Sequence, residues 1–383
     1  MTRNLLAERE TFVVGIGLHR YQRKSATTYV ELGLTAVREA LSDAGIGWTD
    51  VESAYTGTAL LGMGSSRIML SRLGSTGIPM AQVENASASG STAVAQACLD
   101  VASGQSDVVL AIGVDKPRGG LGAAPGQAGI ENLEGGAIVP FTHFALLASE
   151  YMSAHGVAAE DVARVALKNH RNGSLNPFAQ RQKERTMEEI LAEPISGSMT
   201  RLQCCPVGEG AAAVIVASGD AIDRLGIDRT RAVRVLSSAT RSERLYGPGE
   251  GIDAALTAET ANLAFDRAGV DPRDIDVLEV HDAFSIEELL YTEALGLCEP
   301  GEAASLIAAG AFDIGGRCAL SPSGGLLSMG HPIGPTGAGQ VAEVARQLRG
   351  EAGTRQQPNA RLGAAHMVGI GAICVVHVMA KPT

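Results

Sequence analysis

The chain has 383 residues, 45% of them hydrophobic, which is enough for two or three packed units around a large buried core. A formal charge of −11 and a pI near 5.3 exclude nucleic acid or an anionic membrane as its principal partner. The N-terminus MTRNLLAERETFVVGIG lacks the apolar core of a signal peptide, and no apolar run is long enough to span a bilayer. The expected setting is cytoplasmic, without membrane insertion. Cys98, Cys204, Cys205, Cys298, Cys318 and Cys374 show no zinc spacing and include an adjacent pair, so they are expected to be reduced thiols.

Thr11 to Gly17, TFVVGIG, reads as a buried strand. A helix is predicted over Tyr29 to Ala44, where Leu32, Ala36, Val37, Ala40 and Leu41 share one face and Gly45 stops it. Val51 to Tyr55 is a short strand, and this order predicts a mostly parallel sheet covered by helices. Within Val83 to Lys116 the small-residue turn ASASGS leads into a helix through about Val101, Gly104 ends it, and Val108 to Gly113 is a buried strand. Ser87 therefore stands at a strand-to-helix junction, where open α/β sheets bind ligands, although close helix packing also explains small residues there. From Pro117 to about Gln203, glycine-rich RGGLGAAPGQAG and the mixed helices EYMSAHGVAAEDVARVALKNHRN and TMEEILAE predict an inserted lobe. Gly210 to Ser218 returns to a buried strand.

A second pass begins near Val233. Residues Ala264 to Asp276 echo Ala40 to Glu52 as helix end, glycine stop and strand. The stretch Ser321 to Gln340, SPSGGLLSMGHPIGPTGAGQ, then holds a short apolar segment between glycine clusters and turns through Gly330-His331-Pro332 into a helix over Ala338 to Leu348. Each half thus has a glycine-rich turn entering a helix, at Ser87 and at His331. Each also has a following glycine-bearing strand, Val108 to Gly113 and Gly369 to Met379. Two such halves about a pseudo-twofold would place Ser87 and His331 at equivalent positions near one cleft. The expected organisation is residues 1–116 with 204–230, an inserted lobe over 117–203, and a second half over 231–383.

Three histidines in the second half stand at strand or loop ends: His281 in HDAF, His331 in GHP and His366 in AAHMVGIG. Any one alone is more often structural, but three at successive junctions point to a site. No metal is implied by their spacing. Serine with two histidines suggests acyl transfer, yet a GxSxG elbow is missing and Asp282 points away from His281 by strand alternation. There is no Walker loop, and no strand-linked GxGxxG that would support a dehydrogenase.

The segments NASASGSTA, VALKNHRNGSLNPFAQ, LQCCPVGEGAAA, HDAFSIEELLYTEALGLC, SPSGGLLSMGHPIGPTG, QLRGEAGTRQ and HMVGIGA span nearly the whole chain. Together they resemble the thiolase superfamily, specifically the thiolase of sterol carrier protein X and bacterial thiolase-like lipid-transfer proteins. The resemblance implies a five-layered αβαβα thiolase fold of two pseudo-repeated halves with an inserted loop lobe, usually dimeric. It implies an acyltransferase of lipid metabolism that takes a coenzyme A thioester as substrate and uses no other cofactor. In that family a cysteine in the first turn accepts the acyl group, the GHP histidine activates it, and a second thiol is acid/base in Claisen condensation. Carried across, His331 matches the activating histidine, His281 an oxyanion donor, and His366 the position where other thiolases place an acid/base cysteine. His143 falls near a pocket-lining histidine, while Ser323, Gly330 and Gly371 stand in segments that the resemblance places around the substrate. Backbone N–H groups of the first turn and the last glycine-rich strand would form a further oxyanion hole.

Two departures bear on activity. The nucleophile position is Ser87, and Ala283 stands where the subfamily has its acid/base cysteine. A serine hydroxyl is a far weaker acid than a thiol near pKa ~8.5 and needs a well-placed base. Ser87 is open to three readings: an engineered substitution that silences an acyltransferase, a natural residue of a repurposed enzyme, or a mark of a non-catalytic acyl-binding subunit. The repurposed form would be an aldolase working with an OB-fold, zinc-ribbon accessory protein.

Overall fold

The computed structural model describes residues 4–117, 140–247, 252–369 and 373–382. Twelve strands are present among them. β1 (Thr11–Gln22), β2 (Ser53–Gly57), β3 (Met80–Val83), β4 (Val108–Asp115), β5 (Pro194–Ser196), β6 (Met199–Thr200) and β7 (Glu209–Ser218) come first. β8 (Val233–Ser242), β9 (Val277–Glu279), β10 (Ala319–Leu320), β11 (Leu362–Gly369) and β12 (Ile373–Ala380) follow. Ten of these form one sheet in the order β10-β9-β11-β12-β8-β1-β7-β4-β2-β3, and β5 and β6 form a separate hairpin.

Outward from the β1/β8 junction the two directions repeat each other. β1-β7-β4-β2-β3 on one side answers β8-β12-β11-β9-β10 on the other, with antiparallel pairs inside and parallel pairs outside in both. The junction is narrow, pairing Phe12 with Arg234 and Val13 with Val233. Two sequence expectations change here. The sheet is mixed rather than mostly parallel, because β7 and β12 return antiparallel beside β4 and β11. The counterpart of β4 is β11, which ends at Gly369. The segment expected as one strand to Met379 instead belongs to two strands, β11 and β12, paired antiparallel.

The helix Tyr29–Ala44 has the predicted limits, opened by reciprocal Thr28 and Glu31 hydrogen bonds. Its buried Leu32, Ala36, Val37, Ala40 and Leu41 join β1, β4 and β7 side chains in an outer core cluster of the first half. A second outer cluster gathers Leu256, Ala261, Ala264 and Phe265 of the helix Ile252–Ala268 against Val376 and Val378. Between them lies a central cluster built from the helices Ser89–Ser103 and Thr336–Arg349. These two helices cross at glycine: a Cβ on Gly337 would lie 2.1 Å from Ser91 Oγ, and one on Gly90 would lie 2.4 Å from the Gly334 carbonyl. Their starts, and the turns that precede them, are thereby brought together at the middle of the molecule.

Candidate active site

Ser87 follows Ala86, whose φ of 48° is one that alanine seldom adopts. The turn is held by its neighbours. Asn85 N–H donates to Ser89 Oγ at 2.9 Å, Ser89 Oγ donates to the Ala86 carbonyl at 2.7 Å, and Asn85 Nδ2 donates to Thr92 Oγ1 at 2.9 Å. Ile333, with φ 69°, precedes Gly337 by the same interval that separates Ala86 from Gly90. The two turns are therefore counterparts, but His331 falls opposite Glu84 and Ser87 opposite Gly334. This corrects the expectation that Ser87 and His331 occupy equivalent positions: they meet across the pseudo-twofold from different places in the repeat.

They do meet. His331 Nε2 lies 3.0 Å from Ser87 Oγ, and His331 Nδ1 lies 2.9 Å from Thr336 Oγ1. Gly330, at φ 111°, makes the turn into this loop with a backbone angle suited to glycine. Asp115 at the end of β4 accepts the Gly334 N–H at 2.7 Å and those of Ala59 and Leu60 at 3.0 and 2.9 Å, so the His331 loop is tied to the first half. The LQCCP segment ties it to HDAF: His331 N–H donates to the Pro206 carbonyl at 3.4 Å and Cys205 N–H to the Ala283 carbonyl at 2.8 Å.

His281 leaves the end of β9 and stands edge-on to His331, with ring centroids 5.6 Å apart at 84°. Its Nδ1 is 3.1 Å from Glu287 Oε1, and Glu287 Oε2 accepts the Phe284 N–H at 2.8 Å. Among the described residues His281 Nε2 has no hydrogen-bond partner. His366 differs. It is fully buried, its Nδ1 accepts the His281 N–H at 3.4 Å, and its Nε2 lies 3.1 Å from Thr257 Oγ1, so both ring nitrogens are engaged within the protein.

The remaining sequence candidates lie around this centre. Ser323 and Gly330 line a small cavity together with Glu279, Thr336 and Gln340. Ser323 donates from its Oγ to Glu279 Oε2 at 2.7 Å and from its N–H to Oε1 at 2.8 Å. His143 is exposed on the helix Pro140–His155, where its ring meets Phe144, and Phe144 stacks on Phe284 at 4.3 Å. Gly371 and the RGGLGAAPGQAG segment lie outside the described residues. Asp282 faces away from His281: its carboxylate accepts the Leu326 N–H at 2.6 Å and Asn169 Nδ2 at 2.7 Å. Asn169 in turn reaches Glu288, which pairs with Lys168 at 3.0 Å, so these charges are satisfied as a buried group beneath the site.

Burial governs the protonation of the site. It lowers the His331 pKa from the ordinary 6.5 to about 3, with the neighbouring His281 adding to the effect, and it drives His366 well below its ordinary value for the same reasons. The Cys204 thiol beside the site is pushed up to about 12 by burial, and Cys205 is raised as well, so neither is a ready thiolate. Sequence reasoning missed Glu287, Thr336, Thr257 and Asp115. Glu287 carried a signal, an acidic residue three places after Phe284 at a helix start, and Thr336 lay inside the GHP stretch; nothing marked Thr257 or Asp115.

Two mirrored five-strand halves meeting at a serine, two facing imidazoles and paired helix starts define the thiolase fold. The chain belongs to the thiolase family. Residues 16–191 match the description "Thiolase, N-terminal domain" and residues 250–380 match "Thiolase C-terminal domain-like". Sterol carrier protein 2 of Rattus norvegicus is 36% identical over 95% of this chain and 71% of its own length. The benzoylsuccinyl-CoA thiolase subunit BbsB of Thauera aromatica is also 36% identical, over 95% of this chain and 96% of its own. The solved structure of the Ltp2-ChsH2(DUF35) aldolase superposes with a TM-score of 0.84 at 25% identity, covering 97% of this chain and 98% of that one. Among the described residues no group of His, Cys, Asp and Glu is placed to hold a metal ion, and no helix is long and apolar enough to cross a membrane.

Proposed function

We propose that this protein is a thiolase-like enzyme that acts at the thioester carbonyl of an acyl-CoA and makes or breaks the carbon–carbon bond beside it. The observation that carries the reading is the 3.0 Å contact between Ser87 Oγ and His331 Nε2, with the His281 ring 5.6 Å from that of His331 and its Nε2 unpartnered among the described residues. An acyl carbonyl beside Ser87 would have a hydroxyl and two imidazoles within reach of its carbon and oxygen. In the acyl-transfer form His331 is the general base, Ser87 the acyl acceptor and His281, once protonated, the group that meets the developing oxyanion. The substrate is a coenzyme A thioester, and no resident cofactor is invoked.

A second form, aldol-type cleavage without an acyl-enzyme, is favoured by three observations. No thiol stands at position 87 or 283, a histidine held near 3 is a poor base for a serine hydroxyl, and a related solved structure is an aldolase. In this form Ser87 and His331 act as hydrogen-bond donors to the thioester oxygen. The assembly we propose is a homodimer, joined in the aldol form by a small OB-fold accessory protein. The mirrored strand order supports residues 1–116 with 204–230 and residues 231–383 as the two halves that build the site, with 117–203 as the inserted lobe.

The test is to incubate the protein and its Ser87→Cys variant with a panel of acyl-CoA and β-hydroxyacyl-CoA thioesters, recording intact-protein mass, free coenzyme A and cleavage products. An adduct with coenzyme A release, in either form, identifies an acyltransferase site. Cleavage of a β-hydroxyacyl-CoA without any adduct identifies the aldol form. Binding without turnover in every case marks an acyl-binding subunit, and failure to bind any thioester removes the proposal.

A further inference from the structure

Glu287 was absorbed by neither form of the proposed reaction, yet its placement determines what His281 can do. The carboxylate is 1% exposed and lies 3.1 Å from His281 Nδ1. Its other oxygen is committed to the Phe284 N–H at 2.8 Å, and the Tyr291 hydroxyl donates to Oε1 at 3.2 Å. An ionised carboxylate only accepts hydrogen bonds, so the Nδ1 facing it must carry the ring proton. In the neutral ring the opposite nitrogen, Nε2, is then a lone pair. That nitrogen is buried and unpartnered among the described residues. It can act as an oxyanion donor only after it has taken a proton from something.

We propose that Glu287 and His281 form an acid–base dyad in which Nε2 exchanges the proton on the carbon alpha to the thioester carbonyl, replacing the thiol that Ala283 lacks. The proposal rests on the reading that an acyl-CoA occupies this site, and it holds for either form of the reaction. In the forward step the Cα–H bond breaks, its proton goes to Nε2, and its electron pair forms the enolate with charge on the thioester oxygen. The imidazolium so formed keeps its Nδ1–H on Glu287, whose charge balances it. In the aldol cleavage direction the β-hydroxyl proton passes to Nε2 as the C–C bond breaks to aldehyde and enolate, and the imidazolium so formed gives that proton to Cα of the enolate. His366 does not offer this function, since its two nitrogens are occupied by the His281 N–H and Thr257.

The groups packed around His281 are Glu287 and Tyr291 from the following helix, His331 from the GHP loop, and His366 from β11. The Cys205 thiol of the LQCCP loop lies close enough to Glu287 for that charge to oppose its ionisation. Of these, Glu287 alone places a carboxylate on the ring. Its removal therefore takes away the charge that balances the imidazolium.

Propionyl-CoA in D2O provides the test, because α-deuteration read by mass needs no second substrate and no accessory chain. The unsubstituted protein should deuterate the α-carbon, and His281→Asn should abolish exchange while still binding propionyl-CoA by calorimetry. Glu287→Gln should slow exchange about 100-fold with binding unchanged and move the acid limb of the rate–pH profile to lower pH. Glu287→Asp, which keeps the carboxylate, should recover part of the rate. Exchange that survives His281→Asn, or a Glu287→Gln variant with unaltered rate and acid limb, overturns the dyad. Propionyl-CoA bound without exchange in the unsubstituted protein also overturns it while leaving the proposed substrate class standing. No binding at all removes both.

Discussion

The Thr336 hydroxyl lies 2.9 Å from His331 Nδ1, and this contact governs which ring nitrogen faces Ser87 as a base. With Nδ1–H donating to Thr336, Nε2 accepts the Ser87 hydroxyl; with Thr336 donating, Nε2 carries the proton. Thr336→Val leaves a buried ring nitrogen unpaired, at a cost of about 1–3 kcal/mol. If that cost falls in the transition state, kcat drops roughly tenfold to hundredfold with KM little changed, and Thr336→Ser restores most of it. Steady-state kinetics of the two variants separate this from a folding defect. The protonation of His331 is a second residue-scale prediction. Because burial holds its pKa at about 3, below the ordinary value, the ring takes a proton only in strong acid and stays neutral from pH 5 to 8. Its NMR resonances should be flat over that range; a midpoint near 6.5 would contradict the burial argument.

At the scale of elements, the site depends on two helices that cross without side chains between them. A Cβ on Gly337 would lie 2.1 Å from Ser91 Oγ and 2.6 Å from the Ser91 backbone nitrogen, and backbone cannot step aside as a flexible side chain can. Gly337→Ala is therefore expected to destabilise by about 1–3 kcal/mol. Turnover should fall by more than stability does, because the helix being displaced begins two residues after Ser87. Thermal unfolding and kinetics on the same sample check both parts. A full-activity Gly337→Ala protein would mean that the crossing does not position the serine.

Over the whole molecule, buried titratable groups set how stability responds to pH. His170, His331 and His377 are held neutral by burial, at about 4, 3 and 4. Once unfolded they bind protons below about 6.5, so acidification from 6.5 towards 4 favours the unfolded chain and stability falls. Glu279, raised to about 8, and Asp115, raised to about 6, work in the other direction. They stay protonated in the folded protein where unfolded carboxyls are ionised, and their contribution is lost as pH rises through those values. Those three histidines and His366, which burial also holds well below its ordinary value, oppose Glu279, Asp115 and Asp282, whose carboxyl burial likewise raises, so the histidines dominate on the acid side and the carboxyls act above about 6.5. The urea midpoint is therefore expected to peak near pH ~6 to 7 and to decline on both sides; a monotonic rise from pH 5 to 9 would contradict the assignment.

The sequence by itself determined the features that depend on near neighbours. Apolar periodicity and a glycine stop gave the Tyr29–Ala44 helix its limits, because capping and one-face burial are decided within a few residues. The internal echo announced two halves, and residue identity alone showed that no thiol stands at positions 87 and 283. Tertiary structure decided the rest. Whether β7 and β12 run parallel or antiparallel depends on partners far away in the chain, which periodicity does not carry. The Ser87–His331 contact spans 244 positions, and His366 and Thr257 are 109 apart. Which imidazole nitrogens remain open is therefore legible only in the folded molecule. A histidine's chemistry lies less in its presence than in the partner its other nitrogen finds, and folding chooses that partner.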